Sequence, residues 1–433
     1  MQNTTMLTLW FTSGGLVLTP RTGSNNPHGS SGQLFRRICK SKMSGMPKPP
    51  CPKFISLEDG EFTTKSTSNG FKFRLVSYNI LAQVYVKSSY FPHSPSSCLK
   101  WKARSQAILM EFKNLSADFL CIQELDEYNS FYKSNMESLG YSSLYIQRTG
   151  QKRDGCGIFY RSSSAELILM EEIHYNDLVN GIDYENVPTE IESNNTLDVD
   201  RREEASGKDS TKANSHGDQG DPNDPCVRLK RDCVGLLMAF KLRDPSNHLI
   251  VVANTHIYWD PNWADVKLAQ VKYLRRRVSQ FKEIVSNKFC STPSVIIAGD
   301  FNSTPGDEVY QYLVSANSDS EAPAIQLCSL YATNGGEPPF TNCTPDFTGT
   351  LDYIFLSDPG YLKPVSLLEV PGPQSADIIG GLPNHYHPSD HLPIGADFVV
   401  LGSSNSLIIP ELQDVEDRLS KFEIGEQMKV QNN

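Results

Sequence analysis

Apolar runs of strand length recur along this chain, and several of them end in short polar strings. The run LIVVA at 249–253 leads into Asn254 and His256, and the run SVIIAG leads into Asp300 and Asn302. Short apolar runs rich in Val and Ile are typical of buried β-strands. Because the ends of neighbouring strands lie along one edge of a sheet, the pattern predicts a polar site at that edge.

Segments with helical spacing separate these runs. Apolar residues recur every three or four positions in 99–114 and in 264–285, and a shorter helix is expected at 130–139. Strands interleaved with helices indicate the α/β class. Because the strands are many and the crossover helices few, we predict two mixed β-sheets packed face to face and flanked by helices, over residues 71–401.

Three segments are too polar to contribute to this core. Residues 1–57 contain no Asp or Glu but several Arg, Lys and Ser, which predicts either a mitochondrial or plastid transit peptide or an untargeted disordered tail. An untargeted tail would leave the protein in the cytoplasm, with the nucleus as a further location. Residues 190–225 are predicted to be a disordered insertion, because strands resume after them. Residues 402–433 form a polar C-terminal tail.

Charge and cysteine content narrow the class of protein. The net charge of −10 argues against a general nucleic-acid coat protein, although bound metal ions can supply a nuclease with local positive charge. The ten cysteines show no CxxC spacing, which argues against a structural zinc site and a disulfide framework. No apolar window approaches the length of a membrane span.

The polar strings carry groups that suit metal and phosphate chemistry. Glu124 follows a buried strand, where its carboxylate can bind a hard cation such as Mg²⁺, although a lone Glu there is more often a surface acid. Asp300 and Asn302 are two residues apart and therefore share a face. The Asp can hold or deprotonate a water, and the Asn can donate to a phosphoryl oxygen. The alternative for this pair is a simple Asx-type turn.

Histidines complete the set. His256 can donate to a phosphate oxygen, and Asp390 directly precedes His391, where a carboxylate can fix the tautomer of a catalytic ring. Asp352, at the start of the strand LDYIF, can hold a metal-bound water or orient a histidine. No GxSxG string supplies a serine nucleophile. The strings together therefore predict metal-dependent cleavage of a phosphodiester, with Asn79 after RLVSY as a further member.

The order of these strings resembles a known superfamily. SYN, QEL, RDGCGIFY, NTH, GDFN, LDYIF and SDH resemble the endonuclease/exonuclease/phosphatase superfamily over about 71–401. YNILAQVY, LKWKAR, THIYWDP and TLDYIFLS are similar to its carbon-catabolite-repressor type of poly(A)-specific ribonucleases. The resemblance implies a β-sandwich flanked by helices. It also implies a Mg²⁺-dependent 3′-to-5′ exoribonuclease that shortens mRNA poly(A) tails and releases 5′-AMP.

The resemblance also assigns roles. Glu124 is implied as the central ligand of Mg²⁺, with two ions in all, and Asn79 and Asp352 assist through the metal shell. Asp300 is implied to activate the attacking water, and Asn302 to stabilise the pentavalent phosphorus. His256 and His391 would hold the scissile phosphate, and Asp390 would orient His391. The residues implied in substrate binding are Pro261 and Phe347, which would sandwich adenine bases, together with Asn254 and His256.

Alternatives remain at this level. Sister branches with similar motifs remove the 2′-phosphate of NADP(H) or cut 2′,5′-linked oligoadenylate. A non-catalytic RNA-binding module and an abasic-site DNA endonuclease fit less of the pattern. Poly(A) RNA is the expected partner. The leucine-rich repeats that dock the founding members onto other deadenylase subunits are absent from this sequence, so membership of such a complex stays open, and no membrane association is expected.

Overall fold

The computed structural model describes residues 50–57, 70–181, 221, 224–245, 247–315, 325–358 and 360–401. All of them lie within one unit, Pro47–Asn433. The predicted leader and C-terminal tail fall outside the described residues, apart from 50–57, and so does nearly all of the predicted insertion 190–225. No helix in the described ranges has the length and apolar character needed to cross a bilayer.

Strands dominate the described residues. They are β1 (Phe54–Ser56), β2 (Lys72–Asn79), β3 (Phe119–Gln123), β4 (Tyr141–Gln147), β5 (Gly155–Arg161), β6 (Ala165–His174), β7 (Val234–Leu242), β8 (Leu249–His256), β9 (Ser294–Asp300), β10 (Cys328–Ser329), β11 (Asn342–Cys343), β12 (Thr348–Gly349), β13 (Asp352–Ser357), β14 (Leu362–Leu368) and β15 (Ile394–Val400). The α-helices are α1 (Trp101–Leu115), α2 (Lys133–Ser138), α3 (Pro225–Arg228), α4 (Ala264–Phe289) and α5 (Glu308–Val314).

The strands form two large mixed sheets, which confirms the predicted architecture. The first has the order β1-β14-β15-β2-β3-β5-β4 and the second the order β10-β13-β9-β8-β7-β6. The pairs β2–β3 and β8–β9 are parallel, and the other pairs in these two sheets are antiparallel. Each sheet therefore has a parallel pair at its centre, and the carboxyl ends of such a pair lie side by side.

Apolar side chains from the facing sides of the two sheets form the main core. Phe119 of the first sheet meets Phe240 of the second edge to face, with ring centroids 5.1 Å apart. Burying an aromatic or aliphatic side chain of this size is worth about 1.5–3 kcal/mol. The amphipathic helix α1 packs on the outer face of the first sheet through Ile108 and Phe112, and α4 covers the second sheet through Val278 and its apolar neighbours.

The helical predictions are confirmed with shifted ends. The segment 99–114 is found as α1, and 264–285 continues one turn further to Phe289, where Cys290 takes a left-handed conformation with φ of 49°. The segment 130–139 is divided into a π-helical turn, Tyr128–Tyr132, and α2. Strands β1, β6, β10, β11, β12 and β14 were not predicted, and β1 corrects the predicted end of the leader because it lies within 1–57 and pairs with β14. Strands β1 and β6 lie at sheet edges, where exposed polar positions interrupt the apolar pattern.

Candidate active site

The polar strings converge because the central parallel strands of both sheets end on the same side of the sandwich. Asn79 ends β2 in the first sheet, and Asp300 ends β9 in the second. The Asn79 amide nitrogen donates to Asp300 Oδ2 at 2.9 Å and to Glu124 Oε1 at 3.2 Å. Asn79 therefore joins the two sheets at the edge where the site was predicted.

Glu124 lies directly after β3 in a left-handed conformation, with φ of 53°. Its Oε2 accepts a hydrogen bond from the Ala82 backbone N–H at 2.9 Å. Burial of the carboxyl, with the neighbouring carboxylates of Asp390 and Asp154, raises the pKa of Glu124 to about 8. A carboxyl group that is crowded by other acids in this way gains stability from a cation.

Asp300 lies between the two predicted histidines. Its Oδ2 is 3.5 Å from His256 Nε2 and 3.7 Å from His391 Nε2. Burial, followed by the charge of Asp352, raises the pKa of Asp300 to about 6. Asp300 is therefore ionised at neutral pH but basic enough to accept a proton.

The two histidines have opposite environments. Burial, followed by the positive charge of Arg148, lowers the pKa of His256 well below its usual value, so this ring is neutral. Burial also disfavours a charge on His391, but Asp352 and Asp300 outweigh it and raise the pKa of His391 well above its usual value. The site therefore offers one neutral and one positively charged imidazole.

The carboxylate that orients His391 is Asp352, which corrects the predicted role of Asp390. His391 Nδ1 is 2.7 Å from Asp352 Oδ2. Asp390 is adjacent in sequence, but its Oδ1 accepts a hydrogen bond from the Ser389 hydroxyl at 3.4 Å. No hydrogen bond or ion pair joins Asp390 to the ring of His391 among the described residues, although the charge of Asp390 contributes, after Asp352 and Asp300, to the raised pKa of that ring. The orienting role considered for Asp352 is the one this geometry supports.

Asn302 forms the Asx-type turn that the sequence offered as one alternative, and its role at the phosphoryl group stays a prediction. Its backbone N–H donates to Asp300 Oδ1 at 2.9 Å, as in an Asx turn, and its φ is 45°. Gly299 precedes this turn, and a Cβ there would lie 2.1 Å from the carbonyl oxygen of Thr255. The close approach of β8 and β9 therefore requires glycine at 299.

Asn254 has a different role from the one predicted. Its amide nitrogen donates to the carbonyl oxygens of Ile122 and Gly157, both at 2.9 Å, and its Oδ1 accepts from Gln123 Nε2 at 2.7 Å. The side chain is fully buried. Because both amide hydrogens are used between the sheets, this geometry argues against a substrate contact and makes Asn254 a cross-link of the sandwich.

The two predicted base-binding residues lie on exposed loops beside the site. Phe347 is 41% exposed in the loop between β11 and β12. That hairpin is joined to the site by a bridge between Asn342 and His391. Pro261 is exposed in the loop after β8. Both positions are open to a ligand, and their contact with adenine stays a prediction.

Arg104 is a buried cation on α1 whose role was not predicted. It is 1% exposed and donates to the carbonyl oxygens of Ile80 at 2.6 Å, Leu81 at 2.5 Å and Pro388 at 2.7 Å. One of these segments follows Asn79, and the other precedes His391. Arg104 therefore fixes the two loops that carry site residues. Its only signal in the sequence is a charge on the apolar face of a helix.

We expect Arg104→Lys to lower the free energy of unfolding by about 3 kcal/mol, because buried carbonyls that lose their donor cost about 1–3 kcal/mol each and a lysine lacks the planar donor set. Urea unfolding monitored by circular dichroism measures this change. Lys102→Ala, at an exposed position on the same helix, is the control. Equal stability of the two variants would contradict the role given to Arg104.

Arg148 and Asp154 form a buried ion pair that was not predicted. Arg148 Nη1 is 3.5 Å from Asp154 Oδ2, and Tyr85 donates its hydroxyl to Asp154 Oδ1 at 2.7 Å. Their charges act on opposite site groups: Arg148 lowers the pKa of His256, and Asp154 raises that of Glu124.

The donor groups fit a hard divalent cation. Ligand atoms of Asp300, Asp352 and His391 all lie within 4.8 Å of one another. The buried Asp352 Oδ1 has no hydrogen-bond partner among the described residues. Half-buried Glu124 adds a further carboxylate, whose pKa is raised by burial and by the charges of Asp390 and Asp154. The carboxylate oxygens of this set are the ligands that Mg²⁺ prefers, whereas the ring of His391 cannot coordinate a cation while it is protonated.

Comparison with known proteins agrees with this geometry. The model of the Endonuclease/Exonuclease/phosphatase family matches residues 76–391. The chain belongs to this family. The match begins within β2 and ends at His391, so it includes every strand end that contributes to the site. Two mixed sheets with flanking helices are thus the family fold.

Two relatives show which branch of the family this chain is similar to. It is 59% identical over 343 residues to "Carbon catabolite repressor protein 4 homolog 4" of Arabidopsis thaliana, covering 77% of this chain and 78% of that protein. It is 28% identical over 411 residues to the "CCR4-Not complex 3'-5'-exoribonuclease subunit Ccr4" of Coccidioides immitis, covering 79% of this chain. The chain spans about half the length of that fungal relative, 49%.

Solved structures share the fold. ANGEL2, described as a 2′,3′-cyclic phosphatase, superposes with a TM-score of 0.58 at 25% identity and covers 82% of this chain and 99% of its own. The human Nocturnin catalytic domain superposes with a TM-score of 0.53 at 22% identity, covering 82% of this chain and 99% of its own. These neighbours support the architecture of this family member.

Proposed function

We propose that the protein is a Mg²⁺-dependent 3′-to-5′ exoribonuclease that shortens mRNA poly(A) tails and releases 5′-AMP. The observation that carries the proposal is the convergence of Glu124, Asp300, Asp352 and His391 at one edge of the sandwich. The similarity to carbon catabolite repressor 4 homologues and to a named 3′-5′-exoribonuclease supports the same activity.

The residues divide the reaction between proton transfer and charge stabilisation. Asp300, ionised at neutral pH, accepts a proton from the attacking water. The water oxygen bonds to phosphorus in line with the leaving O3′ of the penultimate nucleotide, whose bond to phosphorus breaks. The leaving O3′ takes up a proton from solvent, so the shortened RNA leaves with a free 3′-hydroxyl, and the terminal nucleotide leaves as 5′-AMP.

The two imidazoles suit the phosphoryl oxygens. His391 carries a positive charge, and its Nε2 lies 3.7 Å from Asp300 Oδ2. His256 is neutral and can donate one N–H without adding charge. Donors that are already fixed by the fold stabilise the negative charge of the transition state without reorganisation. Asp352 keeps His391 in place by accepting from Nδ1–H.

Glu124 would be the principal ligand of Mg²⁺, with Asn79 and Asp352 as further oxygen donors. When bound, two such ions stabilise the entering and leaving oxygens of an in-line displacement. The carboxyl of Glu124 must be ionised to hold a cation, so binding would release a proton at neutral pH.

We expect the purified protein to shorten oligo(A) in Mg²⁺ and to lose this activity in EDTA. Oligo(U), 2′,5′-oligoadenylate and NADPH, tested in parallel, should react far more slowly. The measurement is chromatography of the products, with 5′-AMP as the diagnostic one. Release of phosphate from NADPH, or faster cleavage of the 2′,5′ linkage, would instead support the related small-substrate hydrolases.

We also propose poly(A) RNA as the macromolecular partner and the cytoplasm, with the nucleus, as the location. The relatives named as CCR4-Not subunits support an assembly with other deadenylase subunits, which co-purification of the tagged full chain would test. A full-length fluorescent fusion, compared with one lacking residues 1–57, would separate these compartments from a mitochondrion or plastid.

A further inference from the structure

Trp259 is unusually exposed for an aromatic residue of its size. Its side chain is 61% exposed, in the loop that follows β8. Exposed apolar residues that occur singly need no explanation, so it is the position of this ring beside the site that points to a contact with a ligand. It lies three positions after His256 and two before Pro261.

The loop that carries Trp259 is fixed to the catalytic residues. The Ile257 N–H donates to the Asp300 carbonyl oxygen at 3.2 Å, and Asn302 Nδ2 donates to the Ile257 carbonyl oxygen at 3.1 Å. The Tyr258 N–H donates to Gln270 Oε1 of α4 at 2.8 Å. Trp259 is therefore held in place from its N-terminal side by the residues that would activate water.

A stack of arginines fixes the other end of the loop. The guanidinium carbons of Arg228 and Arg231 each lie 4.1 Å from the ring centroid of Trp263. Arg228 also forms a two-bond ion pair with Asp265 at the start of α4, at 2.6 and 2.7 Å. The cation–π contacts hold Trp263 at the start of α4, and the ion pair with Asp265 offsets the charge of Arg228.

The surroundings of Trp259 are polar. Its sequence neighbour Asp260 and the nearby Asn262 are joined by a hydrogen bond, and Lys230 next to the arginine stack is exposed. A protein-docking surface would surround such an anchor with apolar residues that exclude water. An exposed ring that is backed by a second aromatic, here Tyr258 with ring centroids 6.1 Å apart, and that lies near basic side chains is instead typical of surfaces that bind single-stranded nucleic acid by stacking on bases.

We propose that Trp259 is a stacking platform for an RNA base upstream of the two nucleotides joined by the scissile bond. The proposal rests on the proposed exoribonuclease function and extends it to substrate length. On this proposal a dinucleotide supplies no base for the platform, whereas a poly(A) tail does. The platform thus favours a polymer over small adenylates without reading the sequence, because every base has a flat face.

The test is binding of 5′-labelled oligo(A) of ~20 nucleotides, longer than the site sizes of such proteins, and of the dinucleotide ApA, measured by fluorescence anisotropy in EDTA. Trp259→Ala should weaken binding of the long oligomer about tenfold, as loss of one stacked base does. Trp259→Phe, which retains a ring, should recover most of this loss. Binding of ApA should not change. In Mg²⁺ the KM for the oligomer should rise in Trp259→Ala while kcat stays the same.

The matched control is Tyr361→Ala. Tyr361 is also exposed, at 38%, but precedes Leu362, which pairs with Val400 at the far end of the first sheet from Asn79. If Trp259→Ala and Tyr361→Ala bind the long oligomer equally well, the platform is overturned, whether or not the enzyme shortens oligo(A). A wild-type protein that cleaves NADPH but not oligo(A) would overturn the proposed function, and this outcome appears in hydrolysis rather than in binding.

Discussion

Glu124→Gln is expected to lower the rate of oligo(A) shortening by about 10³-fold or more, because several kcal/mol of metal-dependent charge stabilisation are lost and each 1.4 kcal/mol is a factor of ten. The substitution keeps the size of the side chain and an oxygen that can accept the Ala82 N–H, but it removes the charge that a cation needs. The measurement is single-turnover cleavage of labelled oligo(A) across a Mg²⁺ series.

The same variant should remain folded, and the pH dependence of stability shows why. The pKa of Glu124 is raised to about 8 in the folded protein from an ordinary value of 4.5. Between these values the unfolded chain loses the proton and the folded chain keeps it, so wild-type stability without metal falls as pH rises. Glu124→Gln removes this loss. We therefore expect its melting temperature in EDTA at about pH 8 to match or exceed that of the wild type.

A matched control for this variant is Glu127→Gln, three residues further along in an exposed position. It should retain wild-type activity and metal affinity. Calorimetric titration with Mg²⁺ gives a readout that does not depend on catalysis: the wild type should bind and Glu124→Gln should not. Full activity of Glu124→Gln, or unchanged Mg²⁺ binding, would reject the role of this carboxylate.

Asp352→Asn should lower kcat by about 10²–10⁴-fold, the range found when the carboxylate that orients a catalytic histidine loses its charge. The 2.7 Å contact with His391 Nδ1 makes this residue the acceptor that fixes the tautomer. The asparagine amide at this position can donate its N–H to His391 Nδ1 and thereby stabilise the wrong tautomer of the ring.

The pH profile adds a second signature. Asp352 raises the pKa of both His391 and Asp300. In Asp352→Asn both pKa values fall. Asp300, the general base, is then ionised at lower pH, and His391 also loses its positive charge at lower pH. Both limbs of a plot of kcat/KM against pH should move to lower pH. Asp390→Asn should move them less, and a larger shift in Asp390→Asn would contradict the assignment of Asp352 to His391.

The fold and most of the site could be predicted because strand ends are visible in the sequence. The apolar run before Asp300 predicts a buried strand, and the polar residues after it cannot continue into the core. Side-chain pairings could not be predicted in the same way. Asp352 and His391 are 39 positions apart, and their contact depends on the register that pairs Asp352 with Asp300 across β13 and β9.

Asn254 shows the limit of the two-residue spacing. Asn254 and His256 share a face of β8, as predicted, but the spacing does not say how far each residue lies from the edge of the sandwich. Asn254 lies deeper, where it meets Gln123 and backbone carbonyls, and His256 lies at the rim beside Asp300. The contacts of Arg104 could not be predicted either. Its partners are backbone carbonyl oxygens, which every residue carries, so the sequence does not single them out.

The reacting groups are supplied by both layers of the sandwich, and side chains such as Asn79 connect the two layers at the rim. The thickness of the core between the layers therefore sets the width of the catalytic cleft. A change in volume at a distant core contact, such as that of Phe119 with Phe240, would alter the separation of Glu124 and Asp300 before it unfolded the protein. Catalytic rate should accordingly be a more sensitive gauge of core packing in this enzyme than its melting temperature.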